Sequence, residues 1–301
     1  MYFIEFVPTI FTIVVYFFST CFIVIHLPMV IPESLTLRYY ALNVAYLVGA
    51  TYILSLYLWL LLFVSIEDAM SICTDLVGRW VVRMGWEIQN ARNFDVLEKT
   101  GNAVIVVNHQ SYFDPLPFIS VWKQMAFSTK VYGGSELTNH VFLRKAAASQ
   151  SHTFLDRGCK RTAMKTLMTS AEKHFKNDKQ NKVLIFPEGE RNMMMEDYKL
   201  LEFKRGAFRV AKNYNVPVIP MVISPLYFID NQRHYFTKGK TLISVLEPIY
   251  PGDMEIDEFV AKVRAVMQEE FIRLKEELVD GKIPSASKNN TNEIDSIKKE
   301  L

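Results

Sequence analysis

The stretch Val106-Val107-Asn108-His109-Gln110-Ser111-Tyr112-Phe113-Asp114-Pro115, VVNHQSYFDP, passes from apolar to polar within two residues. The run that leads into it, Ala103–Val107 (AVIVV), has the length and β-branched content of a buried strand. His109 and Asp114 therefore fall just beyond a strand end, where open α/β sheets carry their sites. Two readings fit: a strand-ending turn closed by a capping Asp and by Pro115, or a histidine base with its orienting carboxylate. Four residues separate the pair, one tight turn, so the carboxylate can fold back on the imidazole. A carboxylate on one ring nitrogen fixes the tautomer and leaves the other nitrogen as a base. Ser111 lies between them, but no G-x-S-x-G surrounds it. A pair without a protein nucleophile suits a reaction in which the substrate supplies the hydroxyl.

Outward from this strand the pattern alternates. Short apolar runs predict strands at 126–132, 153–155, 182–186, 216–223 and 241–246. Helical spacing connects Ala163, Leu167, Met168, Ala171 and Phe175, then Phe203, Ala207, Phe208 and Ala211, then Phe259, Val260, Val263, Val266, Met267, Phe271 and Leu274. Strands alternating with helices predict an α/β fold, a central largely parallel or mixed sheet flanked by helices. Residues 281–301 are polar with little to bury and predict a flexible tail.

The N-terminal part differs. Residues 6–32 and 39–66 are apolar runs without a single Asp, Glu, Lys or Arg, each long enough to cross a hydrocarbon core, which takes about 20 helical residues. They predict an N-terminal pair of membrane helices within residues 1–66. Buried core helices and a re-entrant hairpin are the other readings, since Pro8, Pro28, Pro32 and Asn43 interrupt the runs. Residues 67–86 then predict an interfacial helix, with Ala69, Ile72, Cys73, Leu76, Trp80 and Met84 on one face and Asp68, Asp75, Arg79 and Arg83 on the other. An amphipathic helix lying on a globular core fits the same spacing. Arg79 and Arg83 after the second run favour a cytosolic C-terminal part.

A net charge of +2 gives no bulk attraction for nucleic acid. Cys21, Cys73 and Cys159 show no paired spacing, and the six histidines match no metal-ligand pattern, so neither a disulfide framework nor a metal is expected.

Three further blocks end apolar runs in polar residues. In Phe186-Pro187-Glu188-Gly189-Glu190-Arg191, Gly189 permits a positive φ and Arg191 offers a planar fork that matches a phosphate. A solvated turn with a surface Glu–Arg pair is the plainer reading. Phe154-Leu155-Asp156-Arg157 precedes Lys160, Arg161 and Lys165, a basic cluster at a helix start that suits an anion or simply a solvated face. Val216-Pro217-Val218-Ile219-Pro220 suits an irregular strand or plain sheet.

Taken in order, NHQSYFD, FLDR, FPEGER and VPVIP resemble the four blocks of the glycerolipid acyltransferase superfamily, most closely the 1-acylglycerol-3-phosphate acyltransferases. The resemblance covers roughly residues 85–275, places an acyltransferase domain at 87–280, and includes FKRGAF at Phe203–Phe208. It implies acyl transfer from acyl-CoA, a co-substrate rather than a cofactor, to the sn-2 hydroxyl of lysophosphatidic acid. By the same resemblance His109 is the general base and Asp114 orients it, while Glu188, Gly189 and Arg191 bind the acceptor and Arg157 is a second phosphate contact. The sequence does not name the oxyanion donors; backbone N–H groups near the His109 turn are one candidate source. The bilayer is the implied partner and the endoplasmic-reticulum membrane the implied location, multi-pass, with the catalytic domain cytosolic. Lys298 and Lys299 before the last two residues resemble a cytosolic dilysine retrieval signal.

Two positions depart from the family pattern. Glu190 stands where Thr is usual, which puts a negative charge beside the implied phosphate site. Gly133 and Gly134 precede Ser135-Glu136-Leu137 where a Lys is frequent. Both bear on which lysophospholipid is the acceptor, and another headgroup is the alternative. A membrane scaffold that keeps the fold without catalysis is a second alternative, opposed by the intact His109 and Asp114.

Overall fold

The computed structural model describes residues 16, 19–32, 36–121, 129–134, 153–155, 159–177, 181–192, 198–230 and 233–281. Arg157, the 6–15 part of the first apolar run, the start of the strand expected at 126–132, residues 135–137 and the tail from 282 onward, with its two lysines, lie outside the described residues.

Five parallel strands and one antiparallel edge strand form the central sheet, in the order β10-β6-β2-β5-β3-β4. The strands are β2 (Ala103–Val107), β3 (Thr129–Gly134), β4 (Thr153–Leu155), β5 (Lys182–Ile185), β6 (Val218–Ile223) and β10 (Ile243–Val245). β2 lies in the middle, paired with both β5 and β6, and every one of its residues is buried. Its alternation serves two cores. Val104 and Val106 face Leu167, Ala171, Phe208, Phe259 and Met267, whereas Ala103, Ile105 and Val107 face Phe118, Val121 and, from the one-turn helix α4 (Asp95–Lys99), Val96 and Leu97. Burial on both faces explains why this strand reads as a continuous apolar run.

The first of those cores is built by α5 (Lys160–Asn177), α6 (Gly206–Tyr214) and α7 (Ile256–Leu278). The helix around 203–211 begins later than its spacing predicts, at Gly206, and runs to Tyr214, with Phe203 buried in the loop before it. The expected strand 241–246 divides. Thr241 closes β9 (Gly239–Thr241), which pairs in parallel with β1 (Trp86–Ile88), while Ile243–Val245 joins the main sheet. The short hairpin β7 (Ile229–Asp230) and β8 (Tyr235–Phe236) makes a third sheet.

At the N-terminal end stand a short apolar helix, α1 (Ser19–Met29), the 25-residue α2 (Thr36–Leu60) and α3 (Ile66–Arg83). Among the described residues α2 is the one helix long and apolar enough to cross a membrane. Its buried residues Arg38, Leu42, Ala45 and Gly49 recur every three or four positions, a single face. Opposite lie Leu37, Tyr40, Val44 and Leu47, all half-exposed or more. Ser65 caps α3 by accepting the Asp68 N–H at 3.1 Å. Ala69 and Cys73 of α3 pack on Tyr57 of α2, but Ile72 and Leu76 stay about 40% exposed, so the apolar face of α3 is only partly covered.

An aromatic cluster locks this N-terminal layer to the sheet. Trp86 sits edge-to-face against Phe113, Phe228 and Phe236, with Tyr39, Leu42, Val81 and Met84 around them. Phe113 directly precedes Asp114, so the N-terminal helices pack on the turn singled out by the sequence.

Candidate active site

Where β2 ends, Asn108 extends the ladder with its side chain. Its Nδ2 donates to the Ile223 carbonyl at 3.0 Å, and its Oδ1 accepts the Ile223 N–H at 2.8 Å. The amide thus stands in for one more peptide unit at the end of β6. Gln110 repeats the device, donating to Ile223 and Ser224 carbonyls and accepting the Leu226 N–H. Between these two anchored amides, His109 is turned outward with its side chain 19% exposed.

Asp114 folds back as the spacing allows. Its Oδ2 lies 2.6 Å from His109 Nδ1 and also accepts the Gln110 N–H, while its Oδ1 accepts the Ser111 N–H at 3.0 Å. The carboxylate is fully buried, and two backbone N–H groups and a ring N–H balance its charge. With Nδ1 donating to Asp114, Nε2 presents its lone pair. The imidazole stacks on Phe186, centroids 4.3 Å apart, which fixes the ring plane. Ser111 Oγ is buried and accepts the Phe113 N–H, the role of a turn hydroxyl and not of a nucleophile.

Five of the backbone donors of this turn are already used. The N–H groups of His109, Gln110 and Ser111 go to carboxylates, and those of Phe113 and Asp114 go to Ser111. These five groups are therefore not oxyanion donors, because each carries a hydrogen bond that the turn requires.

Glu188 joins the second block to the first. Its Oε1 accepts the His109 N–H at 2.8 Å and its Oε2 accepts the Leu201 N–H at 2.9 Å. The side chain is 1% exposed, so it is a buried strut between two loops and offers no free face to a ligand. Burial pushes its carboxyl above the ordinary range, against the two N–H groups, which pull it down. Asn192 N–H donates to the His109 carbonyl at 2.7 Å, closing the junction. Gly189 sits at φ +72, and a Cβ there would crowd Lys204. Segment 198–201 is held in turn by Gln268 and Arg264 of α7.

Arg191 faces Tyr112. Its Cζ lies 3.4 Å from the ring centroid and its Nη2 donates to Tyr112 Oη at 2.8 Å. Glu190 is exposed, and among the described residues no ion pair links it to Arg191. His109, Asp114, Glu188, Gly189 and Arg191 are thus brought to one end of the sheet from segments about 80 residues apart. Tyr112 and Asn192 were not singled out in the sequence; nothing in their spacing marks them, since their partners are remote.

Comparison with known proteins gives a consistent result. The Acyltransferase family model matches residues 88–224. A putative 1-acyl-sn-glycerol-3-phosphate acyltransferase of Caenorhabditis elegans is 30% identical over 196 residues, 63% of this chain and 69% of that protein. The human 1-acyl-sn-glycerol-3-phosphate acyltransferase beta is 30% identical over 181 residues, 56% of this chain and 60% of its own. The crystal structure of the 1-acyl-sn-glycerophosphate (LPA) acyltransferase PlsC from Thermotoga maritima superimposes with a TM-score of 0.58, covering 80% of this chain and 94% of that one. At 24% identity that likeness is one of fold.

Proposed function

Since the chain belongs to the 1-acyl-sn-glycerol-3-phosphate acyltransferase family, we propose that it transfers a fatty acyl group from acyl-CoA to the sn-2 hydroxyl of lysophosphatidic acid, giving phosphatidic acid. The observation that carries this reading is the 2.6 Å His109–Asp114 hydrogen bond, beyond a strand end and beside Arg191, with no protein nucleophile in the turn. Nε2 of His109 takes the proton of the acceptor hydroxyl as its oxygen attacks the thioester carbonyl. The tetrahedral intermediate collapses with cleavage of the C–S bond, and the imidazolium returns the proton to the leaving thiolate. Asp114 holds the tautomer and balances the imidazolium charge. Arg191 holds the acceptor phosphate. In this reading Gly189 permits the tight turn that presents Arg191, and Glu188 acts through His109 rather than by touching substrate. Arg157 is kept as a second phosphate contact on the resemblance of FLDR alone.

The reading extends to the membrane. Residues 1–66 are the membrane helices, 67–86 an interfacial helix, 87–280 the acyltransferase domain and 281–301 a polar tail, in the endoplasmic-reticulum membrane with the catalytic domain cytosolic. The uncovered apolar side of α2 supports bilayer contact, because a helix apolar on every side is stable only against protein or lipid. Acceptor and donor chains both partition into lipid, at about 0.8 kcal/mol per buried methylene.

The test is an acceptor panel with purified full-length protein and acyl-CoA. Preference for lysophosphatidic acid over lysophosphatidylcholine and lysocardiolipin is expected; equal or reversed use sinks the substrate assignment. His109→Ala is expected to lower transfer about 100- to 10,000-fold in protein that still folds and inserts. Retained activity would reassign the base.

A further inference from the structure

We infer that Tyr112 is a positioning residue that sets acceptor selectivity by holding Arg191 in register with His109, an inference that rests on the reading above. Tyr112 lies in the loop between His109 and Asp114. Its neighbours Ser111, Phe113 and Asp114 are all buried, yet its own side chain is 55% exposed. That exposed ring carries the Arg191 guanidinium 3.4 Å from its centroid and accepts an Nη2 hydrogen bond at 2.8 Å. From behind, the Tyr46 hydroxyl of α2 donates to the Tyr112 carbonyl at 3.1 Å, fixing the loop.

The chemistry of the partner matters. A carboxylate facing Arg191 would neutralise the cation and compete with a phosphate. An aromatic ring orients the guanidinium while leaving its charge intact. One of five N–H donors is used by Tyr112 Oη, so a fork remains for phosphate oxygens. Glu190, the acidic departure next to Arg191, is turned to solvent, and the ring keeps the guanidinium from swinging onto it. The phosphate and the sn-2 hydroxyl of the acceptor are only a few bonds apart, so the base and the phosphate anchor must stand close together. One loop carries both the base and the residue that seats the phosphate anchor, so this loop couples their placement.

The experiment measures kcat and KM of full-length protein in mixed micelles, with lysophosphatidic acid and acyl-CoA varied in turn. Arg191→Ala comes first, because an unchanged KM for lysophosphatidic acid would refute the phosphate role itself. Given a raised KM there, Tyr112→Ala is expected to raise the same KM about three- to tenfold, the scale of a lost cation–π contact, with the acyl-CoA KM unmoved. Tyr112→Phe, which keeps the ring, should restore most of the loss. Tyr112→Ala combined with Arg191→Ala should match Arg191→Ala alone, since both remove one interaction. Effects that multiply in the double variant, an unchanged KM in Tyr112→Ala, or a loss confined to kcat each overturn the assignment.

Discussion

Glu188 shows how a charged residue in a binding block can be structural. Both oxygens are bonded to backbone N–H groups from different loops, one of them the N–H of His109 itself. A glutamine can accept at one end only and turns an NH2 toward the other donor. Glu188→Gln is therefore expected to cost about 1–3 kcal/mol, the penalty of a buried unmatched donor, seen as a lower Tm, with weaker transfer because the His109 loop relaxes. The pH dependence follows from the direction of the shift. A raised carboxyl pKa means that the folded chain binds the proton more tightly than the unfolded one. The stability drawn from this group is full below the ordinary carboxylate range and declines as pH rises through the raised value. The Tm advantage over Glu188→Gln should narrow over that rise; a widening gap would contradict it. His109, Asp114 and Arg191 were legible in the sequence because each stands in a short block after an apolar run. Glu188 was legible as a position, but its inward aim was not, because a buried carboxylate is set by donors from residues 109 and 201.

Among the elements, α2 divides its work by face. Arg38, Leu42, Ala45 and Gly49 meet protein; Gly49 lets Trp80 approach to where a Cβ would sit 3.3 Å from its ring. Val44 and Leu47 are half-exposed or more. Placing Asp at both is expected to release the protein from liposomes in a flotation assay, since each charge at hydrocarbon depth costs about 2.5–3.5 kcal/mol. Unchanged flotation would show that this face is not the lipid contact. Strand β2 was legible as a short unbroken apolar run, and helices α5 and α7 from their period. The division of 241–246 was not: Thr241 and Ile243 are both buried, so the apolar pattern runs unbroken while hydrogen bonds pass from one sheet to another. The β7–β8 hairpin has two residues per strand, too few to show a period.

At the scale of the molecule, the Trp86 cluster makes the N-terminal helices and the sheet one packed unit. Gly239 is its narrowest point, because a Cβ there would overlap the Phe228 ring. Gly239→Ala is expected to cost about 1–3 kcal/mol through overpacking, read as a fall in Tm together with a changed near-ultraviolet dichroism from Trp86. An unchanged Tm would mean that Phe228 has room to turn. The α/β order was legible in the alternation of runs, whereas this interlock joins Tyr39, Trp86, Phe113 and Phe236 across almost 200 residues and leaves no local trace. The amide of Asn108 has a last consequence, for the chemical ageing of the protein. Deamidation requires the following backbone nitrogen to attack the side-chain carbonyl. In the folded chain that nitrogen belongs to His109 and is held by Glu188, while the Asn108 amide is held at both ends by Ile223. The fold therefore shields its own Asn-His bond, and a carboxylate at position 108 marks molecules that have spent time unfolded.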